Sequence, residues 1–183
     1  MKKPLIPART VAFSGYRPAK LRQSAGSDIL TTLPNRLHRT ILRLAENGFD
    51  TFLCGMAEGF DLLAARAVLE AKKTFPALRL AAVVPFPEQA RAFSPHWKAE
   101  YDRMLTEADE SVLIASAYHR GCYHRRNDFL VANASVLVCY YDGLSGGTKY
   151  TFEKASRRGL RILNLALPDP PETAFPSFSE NTR

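Results

Sequence analysis

The residues best suited to chemistry stand in a glycine-rich segment, DGLSGGTKYTFE, that begins at position 142. Gly146 and Gly147 free the backbone to present successive N–H groups, and Thr148 adds a hydroxyl. A helix-like pattern follows at once, and the positive end of a helix dipole attracts anions. The segment therefore predicts a phosphate-binding loop, with Lys149 and Thr151 near enough to assist. It lacks the Gly-Lys-Ser/Thr run of a Walker A loop.

A second candidate segment, SGYRP, ends the first strand-like run of the chain. Gly15 lets the backbone turn sharply and approach a ligand closely, and the planar guanidinium of Arg17 suits phosphate. We therefore count Ser14, Gly15 and Arg17 as ligand-binding candidates. An ordinary turn with a surface arginine is the alternative.

A third segment, GMAEGFD, places two glycines around a helix start, as phosphate-cradling loops do. However, Glu58 and Asp61 lie at the same helix start and would repel a phosphate, whereas carboxylates accept hydrogen bonds from sugar hydroxyls. We therefore assign this segment to the sugar or base end of a ligand. The candidate residues are Gly55, Met56, Ala57, Gly59 and Asp61. Alternatively, Asp61 only complements the helix dipole.

A polar and aromatic segment, SAYHRGCYHRRND, begins at position 116 next to another helix start. Arg126 and Asn127 could contact a phosphate or a ribose there, and a solvated helix terminus is the alternative. His119 and His124 have no cysteine or acidic partner at metal-ligand spacing, so we expect no metal site.

All four segments lie between strand-like and helix-like stretches, and this alternation predicts βαβ units with a parallel sheet. Apolar runs such as LAAVV and VLVCY fit strands that helices bury on both faces. We predict an α/β protein with a three-layer Rossmann-like fold, a mostly parallel sheet of about six strands and helices on both faces. The predicted strands are residues 10–14, 51–54, 78–84, 110–115, 135–140 and 160–165.

The remaining stretches give the helices and the domain limits. Residues 17–33 are polar without periodicity and are predicted as a loop, and a helix that begins near Leu37 should stop at Gly48. Ser94-Pro95 is typical of a helix start. We predict one domain over residues 1–167. The proline- and serine-rich tail, 168–183, is expected to pack loosely or not at all.

Bulk properties narrow the class of protein. The chain has 183 residues, a net charge of +7 and a pI near 9.5, a balance that favours anionic partners, although a solvated basic surface explains it equally well. No apolar run is long enough for a membrane span, and because no apolar region follows the basic start we expect no secretory signal. Three distant cysteines, Cys54, Cys122 and Cys139, indicate buried free thiols and a cytoplasmic location.

Taken together, these motifs resemble the SLOG superfamily of Rossmann-like proteins, which groups the DNA-processing protein DprA with the LOG cytokinin-activating enzymes. The YpsA-like group of this superfamily is the most similar. The matching pieces follow the family's order over most of the chain. They are SGYRP (14–18), GMAEGFD (55–61), PFPEQ (85–89), Trp97, YHRRN (123–127) and GGTKYT (146–151).

The resemblance implies a pocket for a nucleotide-like ligand, such as AMP or an ADP-ribose-like molecule, without a required cofactor. In LOG enzymes this pocket hydrolyses the N-glycosidic bond of a nucleoside monophosphate, with a helix arginine and the glutamate of Gly-Gly-x-Gly-Thr-x-x-Glu. By resemblance, Arg126 and Glu153 are the implied catalytic pair. Lys149 and Tyr150 depart from the motif, and Glu153 could instead form a surface pair with Arg157, four residues on.

Three functions stay open. The first is a ligand-binding or sensing protein for a nucleotide derivative, the second a LOG-like phosphoribohydrolase, and the third a DprA-like nucleic-acid binder. We place the third last because the basic residues are dispersed and most aromatic residues fit core positions better than a base-stacking platform. Phe86, Phe93 and Trp97 are expected in the core, with a wall for a base as the alternative. The resemblance also implies a homo-oligomer.

Overall fold

Six parallel strands form one sheet in a computed structural model that describes residues 4–169 and 171–175. The spatial order is β4-β3-β2-β1-β5-β6, and every neighbouring pair is parallel. The strands are β1 (Thr10–Ser14), β2 (Thr51–Cys54), β3 (Arg79–Val84), β4 (Glu110–Leu113), β5 (Val136–Cys139) and β6 (Arg161–Asn164). The predicted Rossmann-like α/β fold is therefore confirmed, and within the described chain its sheet is wholly parallel.

Helices cover both faces of the sheet. They are α1 (Pro18–Ala25), α2 (Ile29–Glu46), α3 (Phe60–Ala71), α4 (Pro95–Glu107), α5 (Cys122–Ala132) and α6 (Gly147–Arg157). Successive residues of a strand point to opposite faces, so Val11 and Phe13 belong to the core cluster that includes residues of α2, α3 and α4, whereas Ala12 belongs to the cluster that includes residues of α5 and α6. Phe86, Phe93 and Trp97 are buried in the structure.

The segment 17–33 differs from its predicted loop, because it contains α1 and the first turn of α2. Pro18 occupies the first position of α1, where its fixed φ suits a helix. In α2, Ile29 and Leu33 are buried and extend the spacing of Leu37 by four residues each time. The threonines, the proline and the polar residues among them concealed this apolar stripe in the sequence.

The end of α2 follows the prediction closely. Gly48 has a φ of +87°, a left-handed conformation that glycine adopts at no steric cost. The Gly48 N–H donates to Ala45 O at 3.0 Å and the Phe49 N–H donates to Leu44 O at 3.0 Å. These two bonds form a Schellman motif, which stops the helix and turns the chain into β2.

Part of the predicted tail packs against α2. Arg36 and Arg39 hold the Asp169 carboxylate at 2.8 and 3.0 Å, and the Phe175 ring is buried beneath Arg43. The expectation of loose packing is therefore wrong for this portion, because α2 offers it both cations and an apolar surface. Residues 170 and 176–183 lie outside the described residues, and the domain limit at 167 stays a prediction.

Candidate functional site

A crevice opens where the strand order reverses. The chain runs outward from β1 to β4 and then returns to the other side of β1 as β5, so the loops that leave β1 and β5 diverge. A cavity of about 500 Å³ lies at this point. It is lined by Phe13, Ser14, Gly15, Tyr16, Arg17, Ala19, Lys20, Ala57, Asp61, Tyr123, His124, Arg126, Asn127, Gly147 and Thr148.

One wall of the cavity is the N-terminal turn of α6. Within residues 4–169 and 171–175, the backbone N–H groups of Gly147, Thr148 and Lys149 have no hydrogen-bond acceptor, which is usual for the first turn of a helix. Gly147 and Thr148 face the cavity, and the atom nearest to a methyl group placed on Gly147 is Asn127 Nδ2, at 3.9 Å. Donors and a helix dipole therefore meet an open hollow.

The loop before α6 is fastened by residues from the other side of the crevice. The Tyr16 hydroxyl donates to Asp142 Oδ1 at 2.7 Å and accepts from the Leu144 N–H at 3.2 Å. Burial and the neighbouring Asp142 raise the pKa of Tyr16 to about 12, so this hydroxyl stays protonated at neutral pH. Lys20 Nζ lies 4.3 Å from the centre of the Tyr16 ring and donates to Ser145 O. A cation is thereby held beside the α6 N-terminus.

The opposite wall contains a buried carboxyl group and a buried guanidinium group. Arg126 and Asp61 have side chains only 8% and 6% exposed, and Arg126 Nη1 lies 3.8 Å from Asp61 Oδ2. Arg126 also donates to Gly55 O and, through Nε, to Asn127 Oδ1 at 2.7 Å. Burial raises the pKa of Asp61 to about 6, although Arg126 and the Ala57 N–H oppose this shift. The network joins a titratable carboxylate to the Asn127 amide near Gly147.

Glycines in the first two loops serve internal packing. A methyl group on Gly15 would come within 2.2 Å of the Phe60 ring, and one on Gly55 within 1.9 Å of Arg126 Nη1. At Gly59 it would lie 2.7 Å from Tyr16 O, the atom that accepts the Phe60 N–H. Of these three glycines, only Gly15 lines the cavity. The other two let the loops approach each other closely.

The structure thus gathers nine of the predicted site residues around one cavity and leaves six outside. The nine are Ser14, Gly15, Arg17, Ala57, Asp61, Arg126, Asn127, Gly147 and Thr148. The six that do not line it are Gly55, Met56, Gly59, Gly146, Thr151 and Glu153.

Three of these six residues carry side chains, and each is kept from the cavity by different contacts. Met56 is fully buried, with a φ of +59°. The Thr151 hydroxyl is buried too and donates to Gly147 O at 2.9 Å. Glu153 is 48% exposed and pairs with Lys149 at 3.7 Å, not with Arg157 as the alternative reading expected. The structure therefore does not bring Glu153 to Arg126.

Six cavity residues were not among the predicted site residues: Phe13, Tyr16, Ala19, Lys20, Tyr123 and His124. Lys20 was hidden because α1 was predicted as a loop, although Arg17 and Lys20 stand one helical turn apart. All three cysteines are buried and free, as predicted. No group of three or more metal-binding side chains occurs among the described residues. In the same part of the chain, no helix is long and apolar enough to span a membrane.

Comparisons with known proteins agree with this architecture. A UPF0398 protein of Bacillus cereus strain B4264 is 26% identical over 155 residues, which cover 82% of this chain and 84% of that protein. DprA from Helicobacter pylori, described for its single-stranded DNA binding mode, is similar with a TM-score of 0.58 at 16% identity, over 91% of this chain and 70% of that chain.

DprA from Streptococcus pneumoniae has a TM-score of 0.57 at 15% identity, over 86% of this chain, which spans half of that chain's length. At these identities the likeness establishes the fold. The model of the YspA SLOG family (YpsA) matches residues 11–162, which is most of the described chain and includes every residue that lines the cavity. The protein therefore belongs to the YspA SLOG family.

Proposed function

We propose that this protein binds a small nucleotide-derived ligand, which carries phosphate and ribose, in the crevice between β1 and β5. The observation that carries the proposal is the cavity of about 500 Å³, with open helix N–H donors on one wall and a buried carboxylate on the other. Cavities of this size suit small molecules. The two walls differ in charge, as the two ends of such a ligand do.

The phosphate end belongs at α6. Gly147 and Thr148 offer N–H donors at the positive end of the helix dipole, and the Thr148 side chain lines the same wall. Lys20 Nζ is held near Gly146, 3.5 Å from a methyl group placed there. A dianionic phosphate would therefore meet backbone donors, a hydroxyl and an ammonium group together.

The sugar end belongs at Asp61 and Asn127. A carboxylate repels phosphate but accepts hydrogen bonds from ribose hydroxyls, and the amide of Asn127 offers both donor and acceptor groups. The second carboxylate of this loop, Glu58, is paired with Arg17 at 3.5 Å and does not line the cavity. Asp61 is thus the acid that would orient the sugar.

Calorimetric titration of the full chain with AMP and with ADP-ribose tests the proposal. Because a hydrogen bond to a charged group contributes about 1.5–3 kcal/mol, Lys20→Ala should weaken AMP binding about tenfold or more. Lys149→Ala is the matched control, since Lys149 lies beside the same glycines, is exposed and pairs with Glu153. Equal losses in both variants, or no binding by the native chain, would contradict the proposal.

Hydrolysis of an N-glycosidic bond is the second candidate, and the presence of Asp61 in the crevice favours it. In this reaction water adds to C1′ of the ribose, the bond from C1′ to the base nitrogen breaks, and the base leaves with a proton. A carboxyl with a pKa near 6 is suited to move that proton near neutral pH. Glu153, the residue implied by resemblance, is on the surface.

Chromatographic detection of free base from AMP tests this candidate. Asp61→Asn should abolish the release, whereas Glu153→Gln should leave it unchanged. The opposite pattern would restore Glu153 as the catalytic residue, and a lack of release from the native chain would leave binding alone. Nucleic-acid binding stays a prediction, and its test is an oligonucleotide affinity that falls steeply with salt.

A further inference from the structure

An aromatic path leads from the crevice to the protein surface. Tyr123 lines the cavity, and its ring lies 5.6 Å from that of Phe86 at an interplanar angle of 81°. Phe86 in turn lies 5.2 Å from Tyr118 at 75°. Phe86 is only 7% exposed, whereas Tyr118 is 65% exposed. A buried ring therefore supports two outer rings, one in the cavity and one at the surface.

Tyr118 is held in place although it is exposed. Its ring makes an edge-to-face contact with Phe86, a geometry that aromatic pairs prefer. Among the described residues, neither Tyr118 nor Tyr123 uses its hydroxyl in a hydrogen bond. The ring of Tyr118 therefore offers most of its surface to solvent in a defined orientation, which is what a stacking partner requires.

Arginines neighbour the two tyrosines of this path in the sequence. Arg120 and Arg125 are exposed, and within the described chain neither has an ion-pair partner. Arg126 lies 6.0 Å from the centre of the Tyr123 ring. Nucleobases stack on aromatic rings, and neighbouring arginines add cation–π contacts at such sites.

We propose that Tyr118 and Tyr123 form a base-stacking subsite, so that the ligand of the crevice retains a nucleobase rather than being a bare sugar phosphate. The inference rests on the proposed function and adds a third contact to it. Phosphate lies at the α6 N-terminus, ribose at Asp61 and Asn127, and the base on the tyrosines. The subsite is tolerant of base identity, because every base presents a π face.

Titration of the full chain with AMP and with ribose 5-phosphate isolates the contribution of the base. The native chain should bind AMP at least about tenfold more tightly than ribose 5-phosphate, given typical base–aromatic stacking. The ratio of these two affinities measures the contribution of the base. Tyr118→Ala should reduce this ratio at least about fivefold and leave the affinity for ribose 5-phosphate unchanged. Tyr118→Phe should preserve the ratio, since the phenyl ring retains its π face. Tyr123→Leu should reduce it as Tyr118→Ala does.

The outcomes separate this inference from the proposed function. Equal affinities for AMP and ribose 5-phosphate in the native chain would overturn the base subsite and leave the crevice proposal intact. A ratio unaffected by Tyr118→Ala and Tyr123→Leu would also overturn it, as would equal losses for both ligands. If neither ligand binds the native chain, the crevice proposal fails, and the subsite that depends on it fails as well.

Discussion

Glycine-containing loops follow β1, β2 and β5 at the same edge of the sheet, yet they use glycine differently. In the loops after β1 and β2, a methyl group on Gly15, Gly55 or Gly59 would come within 2.2, 1.9 or 2.7 Å of protein atoms. In the loop after β5, the nearest atoms lie 3.5 Å from a methyl group on Gly146 and 3.9 Å from one on Gly147. The first two loops are packed and the third is open.

This difference distinguishes glycines that allow the interior to pack from glycines that leave room for a ligand. In the packed loops, glycine makes room for Phe60 and Arg126, so the absence of a side chain serves the protein interior. In the open loop it keeps space in front of N–H donors at a helix start, where an anion fits. Topological position and glycine content therefore do not identify a binding loop by themselves. A binding loop is identified by open space around its glycines.

Gly15→Ala should have the largest effect on stability. The added methyl group would overlap the buried Phe60 ring, which has no flexible end to move away, so repacking must shift the backbone. We expect a loss of about 3 kcal/mol in the free energy of unfolding, measured by urea denaturation. A loss below about 1 kcal/mol would show that the loop after β1 is not packed as tightly as the structure indicates.

Asp61, in the packed loop after β2, should also make the stability of the protein depend on pH. The pKa of Asp61 is about 6 in the folded protein and near 3.8 in the unfolded chain, so the folded state binds this proton more tightly. The resulting stabilisation is complete below the unfolded value and is lost as the pH rises through 6. Relative to Asp61→Asn, the native chain should therefore lose up to about 3 kcal/mol of stability between pH 4 and pH 7.

Urea denaturation of both chains across this pH range provides the measurement. Asp102→Asn, on an exposed position of α4, controls for the general effect of removing a carboxyl group. If the native chain instead gains stability relative to Asp61→Asn as the pH rises, Arg126 stabilises the ionised carboxylate more than burial destabilises it.

The fold was largely accessible from the sequence because its strands are short apolar runs bounded by glycine and proline. The predicted limits of β1 and β2 match the structure residue for residue, and Gly48 ends α2 as expected. The first helix was missed because an eight-residue helix with two buried positions, Pro18 and Leu21, leaves little periodic signal. Such a helix is stabilised by its contacts with the rest of the molecule.

The candidate site could be predicted from the sequence only in part. Gly147 and Thr148 follow from local chemistry, since a helix start after paired glycines presents its donors wherever it lies. Lys20 and Tyr16 depend on how α1 crosses towards the loop after β5, a contact between residues more than 120 positions apart. Glu153 was implied by the resemblance to the LOG motif, but in the structure it is half-exposed and pairs with Lys149.

Gly147→Ala should have the smallest effect on stability and the clearest effect on binding. Gly147 begins α6, its φ is not left-handed, and the methyl group would meet only Asn127 Nδ2 at ordinary distance. The free energy of unfolding should therefore stay unchanged or rise by up to about 1 kcal/mol. The same methyl group would enter the hollow in front of the α6 donors, and a tenfold weaker affinity for AMP would remove about 1.4 kcal/mol of ligand-induced stabilisation.

Thermal unfolding with and without AMP measures both effects of Gly147→Ala. The rise in Tm that AMP causes should be about 3–5 °C smaller in the variant than in the native chain. A stability loss like that of Gly15→Ala would show that the third loop is packed after all, and an undiminished Tm rise would place the anion elsewhere.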